Sequence, residues 1–139
     1  MSLRDDLAEV LASDPRYAIQ AYLFVFEALE HTKAIKKRAR RKARSRPSGA
    51  GGGSRHVSGR ELCEGARALA LAHYGMLAIP VLAGWGIKAT ADIGAIVDNL
   101  VRSGDLERSP EDSPDDFDDV YDFEAAFRRD YTLALDDLI

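Results

Sequence analysis

Apolar residues recur every three to four positions through most of this chain, and that spacing predicts helices. Leu3, Leu7, Val10 and Leu11 fall along one side of a first helix, which Ser2 can cap and which ends near Ser13. A second helix is expected to start at Asp14, whose carboxylate can accept orphan amide hydrogens while Pro15 fills the first turn. Ala18, Ala21, Tyr22, Val25, Ala28 and Leu29 continue it on one apolar face. After His31 the apolar pattern fades. Lys, Arg and Ala still favour helix, so the segment is expected to run on as a solvated, frayed arm to Arg44 or Ser45. Pro47 stops it, and residues 48–54, Ser-Gly-Ala-Gly-Gly-Gly-Ser, read as a flexible connector.

A third helix opens with the clearest local signal in the chain. Ser58 and Glu61 have the spacing of a capping box, and Val57 and Leu62 that of a hydrophobic staple. The helix continues through Ala66, Leu69, Ala70 and His73 to a left-handed stop at Gly75. A shorter fourth helix is expected around Pro80, finishing at Gly84 or Gly86. A fifth is capped by Thr90, carries the stripe Ile93, Ile96, Val97, Leu100 and Val101, and ends at Gly104. Beyond it, residues 105–109 (DLERS) and 119–123 (DVYDF) read as two strands of a small hairpin around the loop at 110–116. Phe117, Phe123 and Phe127 return the tail to the body, with a last helix over Glu124 to Asp130. The predicted fold is therefore mainly α, five to six helices with one short β-hairpin, winged-helix-like. It forms a single domain over residues 1–139, with residues 33–56 as a basic, Gly-rich flexible connector inside it.

Charge changes this picture more than composition does. The net charge of −4 hides a segregation: residues 33–55 hold ten of the nineteen Lys and Arg and no acid, and the rest of the chain carries nine bases against twenty-three acids. Residues 111–124 alone hold eight acids and no base. The sequence describes an acidic body bearing a basic segment.

Several chemistries find no support in the pattern. His31, His56, His73 and Cys63 make no CxxC, HxxxH or HExxH, so no metal site is expected. Ser58 is accounted for by capping, Cys63 by packing, and the glycines at 84, 86 and 94 build no phosphate loop. Trp85 reads as core. An enzyme is not expected, nor a cofactor. No apolar run approaches the roughly 20 residues of a membrane span. With one cysteine and no secretory leader pattern, the expected address is cytoplasmic and no membrane partner is expected.

The segments at 16–29 (RYAIQAYLFVFEAL), 56–75 (HVSGRELCEGARALALAHYG), 81–87 (VLAGWGI), 92–101 (DIGAIVDNLV) and 115–127 (DDFDDVYDFEAAF) together resemble an uncharacterised family of small bacterial proteins associated with planctomycetes and verrucomicrobia. The resemblance implies a shared fold, with the basic stretch as an elaboration of a variable connection. It implies no activity, cofactor or catalytic residue.

Two binding functions remain. In the first, a non-enzymatic binding protein uses Lys36, Lys37, Arg38, Arg40, Arg41, Lys42 and Arg44 for non-specific contact with nucleic acid or the ribosome; without aromatic residues among them, these cations neutralise phosphates rather than stack on bases. In the second, the basic arm is only a solvated connector, and Asp116, Phe117 and Tyr121 anchor a protein partner or a second copy. Sequence-specific reading of DNA by the fifth helix is not expected, because the side chains assigned to its exposed face are Asp92, Asp98, Asn99 and a distal Arg102, and the neighbouring wing is acidic.

Overall fold

The structure, a computed structural model, describes residues 3–44, 57–104, 106, 114–123 and 125–127. Its elements are α1 (Leu3–Ser13), α2 (Ile19–Arg44), α3 (Gly59–Tyr74), a 3-10 turn (Gly75–Leu77), α4 (Ala78–Gly84), α5 (Thr90–Ser103) and a second 3-10 turn (Pro114–Phe117).

The centre of the fold is the antiparallel pair α2 and α3. Three cross-links fix its register: Glu27 faces His73 at 3.4 Å, Thr32 abuts Gly65, and Lys36 pairs with Glu61 at 3.0 Å, so residue numbers rise on one helix as they fall on the other. Ala21, Tyr22, Val25 and Ala28 of α2 are buried against Leu62, Cys63, Ala66, Leu69 and Ala70 of α3. Small residues dominate this seam, which lets the backbones approach closely. Ile93, Ile96 and Leu100 of α5 complete the core with Leu82 of α4, Ile87, Phe123 and Phe127. Each fully buried aliphatic side chain contributes roughly 1.5–3 kcal/mol of transfer free energy.

The local signals around α3 hold. Ser58 Oγ accepts from Glu61 N at 3.1 Å while Glu61 Oε1 accepts from Ser58 N at 3.0 Å, and Val57 and Leu62 are both buried as a staple requires. Gly75 at φ +53° ends α3, and Gly104 at φ +88° ends α5.

Two helix starts differ from expectation. Helix α2 begins at Ile19, because Asp14 spends its carboxylate elsewhere, on Arg16 and on Asn99 of α5, and residues 15–17 form a turn. That turn is fastened by Ala18 N donating to the Trp85 carbonyl at 3.1 Å, and Gly86 at φ +101° lies where any Cβ would strike the Arg16 carbonyl. At α5, Thr90 is the first helical residue rather than the cap. Its hydroxyl donates to the Phe117 carbonyl at 2.7 Å and accepts from Val120 N at 3.2 Å, and the orphan amides of Lys88 and Ala89 are taken by Asp92 Oδ2 at 2.8 and 3.1 Å.

The winged-helix expectation is overturned: among the described residues there is no β-strand, and so no hairpin and no wing. Most of the first expected strand lies outside the described residues. In the second, Asp119 adopts φ +43°, which breaks extended backbone, and the Val120 amide finds a side chain rather than a neighbouring strand. Phe123 and Phe127 are then buried four residues apart on a short helical turn comprising 123 and 125–127, with Ala126 N donating to the Asp122 carbonyl at 2.9 Å.

The expectation about apolar runs also needs correction. Gly59–Gly84, comprising α3, the first 3-10 turn and α4, is long and apolar enough by length and composition to cross a membrane. Positive φ at Gly75 and Pro80 in the first turn of α4 divide it into separate elements, and one side of α3 is committed to α2.

Candidate nucleic-acid interface

Helix α2 runs unbroken through 26 residues, so residues 33–44 of the expected flexible connector are helical and only 45–56 lie outside the described residues. Eight of the ten cations between 33 and 55 fall on this helix. Local sequence favours the helix here, because Ala34, Ala39, Ala43 and the straight-chain cations all have high helix propensity, and positive charge near a helix C-terminus interacts favourably with its dipole.

The anchor of this arm is Lys36. Its Nζ lies 3.0 Å from Glu61 Oε1, the oxygen that also accepts the Ser58 amide, so one carboxylate joins the first turn of α3 to the side of α2. Burial alone pushes the Glu61 carboxyl up, but the Ser58 amide and Lys36 outweigh it and hold the group below its ordinary value. Lys36 is accordingly a structural cation. Lys33 is also partnered, with Glu30 at 3.6 Å.

Past Lys36 the helix outruns the start of α3. Lys37, Arg38, Arg41 and Lys42 are exposed there, and Arg40 is half-buried, its Nε shielded from solvent without a hydrogen-bond partner among the described residues. Arg44 closes the helix, and its side chain lies outside the described residues. Ile35 remains 48% exposed on the face that, further back, is buried against α3.

The second set of expected site residues is engaged within the chain. Phe117 sits between α3 and α5, where a Cβ at Gly59 would come 3.0 Å from its ring and one at Gly94 2.7 Å from its Cβ. Tyr121 donates its hydroxyl to the Cys63 carbonyl at 2.7 Å, stacks on Phe123 at 5.7 Å and lies beneath the Arg67 guanidinium at 5.8 Å. Burial raises its phenol well above the usual tyrosine range. Asp116 is half-buried against Gly59.

A polar node between the α1–α2 turn, α2 and α5 escaped the sequence. Tyr17 donates to Asp92 Oδ1 at 2.6 Å; Asn99 Nδ2 lies 2.9 Å from Asp14 Oδ2 and 3.1 Å from the Tyr22 hydroxyl; Arg102 donates to Asn99 Oδ1 at 3.2 Å. Asn99 is buried, and half-buried Asp92 spends its carboxylate on the N-terminus of α5 and on Tyr17, so neither is the free outward-facing side chain the recognition-helix comparison assumed. The available signal was an Asn beside Leu100 on an otherwise apolar stripe. Burial raises Tyr17 and Tyr22, which keeps both phenols protonated as neutral hydrogen-bonding groups. The node fastens the turn between α1 and α2, and α2 itself, to α5.

Cys63 is fully buried and its thiol is pushed up to about 12 by burial, chemistry that suits packing rather than nucleophilic attack. Among the described residues no three His, Cys, Asp or Glu converge as metal ligands; His56 lies outside them. Trp85 packs on Phe24 and Tyr74 at 6.0 and 5.8 Å. Compared with known proteins, the chain matches no family model, no curated protein and no solved structure.

Proposed function

We propose that this is a non-enzymatic, cytoplasmic binding protein whose basic helical arm makes sequence-independent contact with nucleic acid, free or within the ribosome. The observation that carries this reading is the continuation of α2 past the Lys36–Glu61 pair, which presents Lys37, Arg38, Arg41 and Lys42 to solvent beyond the start of α3. Cations in that position neutralise phosphates, and each neutralised phosphate releases a counterion. The acidity of the rest of the chain limits contact to the arm. The alternative, a protein-interaction surface built on Asp116, Phe117 and Tyr121, draws less support, because both aromatic side chains already have partners inside the fold. A resemblance to a family without assigned activity adds nothing to either reading.

The test is fluorescence anisotropy with a labelled oligonucleotide at 50 mM salt, comparing the chain with a variant in which Lys37, Arg38, Arg41 and Lys42 are replaced by Gln. Binding that the variant loses supports the reading. Absence of binding by the unaltered chain, or undiminished binding by the variant, rejects it.

A further inference from the structure

The outward face of α2 changes sign along its length. At about 100° per residue, Glu27, Glu30, Ala34, Lys37, Arg38 and Arg41 fall within an arc of about 100°. That arc lies opposite Ala21, Val25, Ala28 and Thr32, which are buried on the α3 side. All six residues are exposed, with the carboxylates in the first half of the face, the cations in the second and Ala34 between them. Glu27 and Glu30 each touch one neighbour, His73 at 3.4 Å and Lys33 at 3.6 Å, yet their side chains stay 59% and 74% exposed, and His73 is a counter-charge only when protonated. Contacts so open to solvent contribute little and leave both carboxylates available to another cation. A polyanion laid along the whole face would be attracted at one end and repelled at the other. The complement of this face is the same face reversed.

We propose that α2 pairs antiparallel with α2 of a second copy of this chain, about a two-fold axis at Ala34. The pairing goes beyond the nucleic-acid reading and does not rest on it. Positions equally far from Ala34 then face one another across the axis. Glu27, seven residues before it, meets Arg41, seven after, with Arg38 alongside; Glu30, four before, meets Lys37, three after. Two-fold symmetry repeats every such pair. Ala34 has nothing beyond its Cβ, so the two backbones can approach to about 8 Å at the axis. A parallel pair is disfavoured, because it sets Glu27 against Glu27 and Arg41 against Arg41. In the antiparallel pair α3 of each copy stays on the far side of its own α2 and does not obstruct the contact. From Glu27 to Arg41 the seam runs about 21 Å. A contact this short and this polar gives weak, salt-sensitive association. It takes up the exposed cations of the arm, so pairing and phosphate contact exclude one another.

The experiment is sedimentation velocity of the full chain, treated with nuclease so that no polyanion bridges two copies, from about 5 to about 500 μM at about 50 and about 500 mM salt. The mass is expected to rise with concentration from 15.2 kDa towards twice that value, with a dissociation constant at least about tenfold weaker at the higher salt. A variant carrying Glu27→Lys and Glu30→Lys, and another carrying Lys37→Glu, Arg38→Glu and Arg41→Glu, should each remain monomeric, and their equimolar mixture should associate again. Circular dichroism checks that both fold; Glu27→Gln with Glu30→Gln, which removes charge without reversing it, should weaken association by a smaller factor and serves where a reversal unfolds the helix. Oxidative cross-linking reads the orientation, since buried Cys63 leaves only an introduced thiol to react. Ala34→Cys should link two copies. Gln20→Cys, roughly 40 Å from its mate in the antiparallel pair, should not, whereas a parallel pair would link through either. A monomer at every concentration, association undiminished by the charge changes, no recovery on mixing, failure to link through position 34 or linkage through position 20 overturns the pairing. None of these outcomes touches nucleic-acid contact, which the anisotropy titration reads separately.

Discussion

The Thr32 side chain occupies the space into which any side chain at position 65 would project, and Gly65, having none, leaves that space to it. Thr32 is itself held in place, its hydroxyl donating back to the Ala28 carbonyl at 2.7 Å. This contact sets the approach of α2 to α3 midway between the Glu27–His73 and Lys36–Glu61 links.

Gly65→Ala should therefore destabilise the fold despite the better helix propensity of Ala, by about 1–3 kcal/mol as an overpacking change. Thr32→Ala removes the obstructing hydroxyl, so Gly65→Ala should cost less in that background, with a coupling of about 1 kcal/mol or more. Urea unfolding of the four proteins measures this; strict additivity would show that the two residues do not share the space.

Phe117 is expected to act as a wedge. Removing it by Phe117→Ala should lower stability by about 2 kcal/mol, less than for a fully enclosed ring because the side chain is only half-buried. For a chain of this length that corresponds to a thermal midpoint lower by roughly 5–8 °C. Nucleic-acid affinity of the folded variant should be unchanged, since α2 does not depend on the wedge. A thermal melt beside a binding titration separates the two effects, and an unshifted midpoint would return Phe117 to the list of surface anchors.

Stability should fall at both ends of the pH scale for identifiable reasons. Hydrogen bonds from Arg16, opposed by burial and helped by Asn99, hold the Asp14 carboxyl far below the usual carboxylate range. A carboxyl depressed in the folded state stabilises above its unfolded value, near 4, and loses that contribution as pH falls below it. Asp14→Asn should lower stability at pH 7 by about 1–2 kcal/mol and flatten the decline below pH 4. At the alkaline end the signs reverse. The Cys63 thiol, at about 12, and the raised phenols of Tyr17, Tyr22 and Tyr121 stabilise fully below their unfolded values and lose that contribution as pH rises above about 9. Unfolding free energies from pH 2 to 11 test both limbs. At pH 8 a thiol reagent should modify Cys63 only at the rate of opening, and prompt reaction with the native protein would contradict its burial.

What the chain made legible was local. Ser58 and Glu61 announce α3 because every participant lies within a few residues, and Gly75 and Gly104 mark helix ends through their own backbone freedom. Where a distant partner decides, the pattern misleads. Asp14 has the right residue type for a cap, yet Asn99, far along the chain, claims an oxygen of its carboxylate. Val120 and Tyr121 have strand-like character, yet Thr90 and Cys63 bind their polar groups one by one and leave no ladder to build. The helicity of the arm followed from propensity alone. Its direction did not, because that depends on Lys36 meeting Glu61 across 25 positions. The same pairing withdraws Lys36 from the cations open to a ligand, a distinction that charge counting cannot make.

The sealed position of Cys63, the chain's single cysteine, has a practical consequence. A maleimide dye offered to a variant with one new cysteine on the arm's outer ridge, Lys37→Cys for instance, would attach there and nowhere else. The arm can thus carry an optical reporter of docking while the native interior stays untouched.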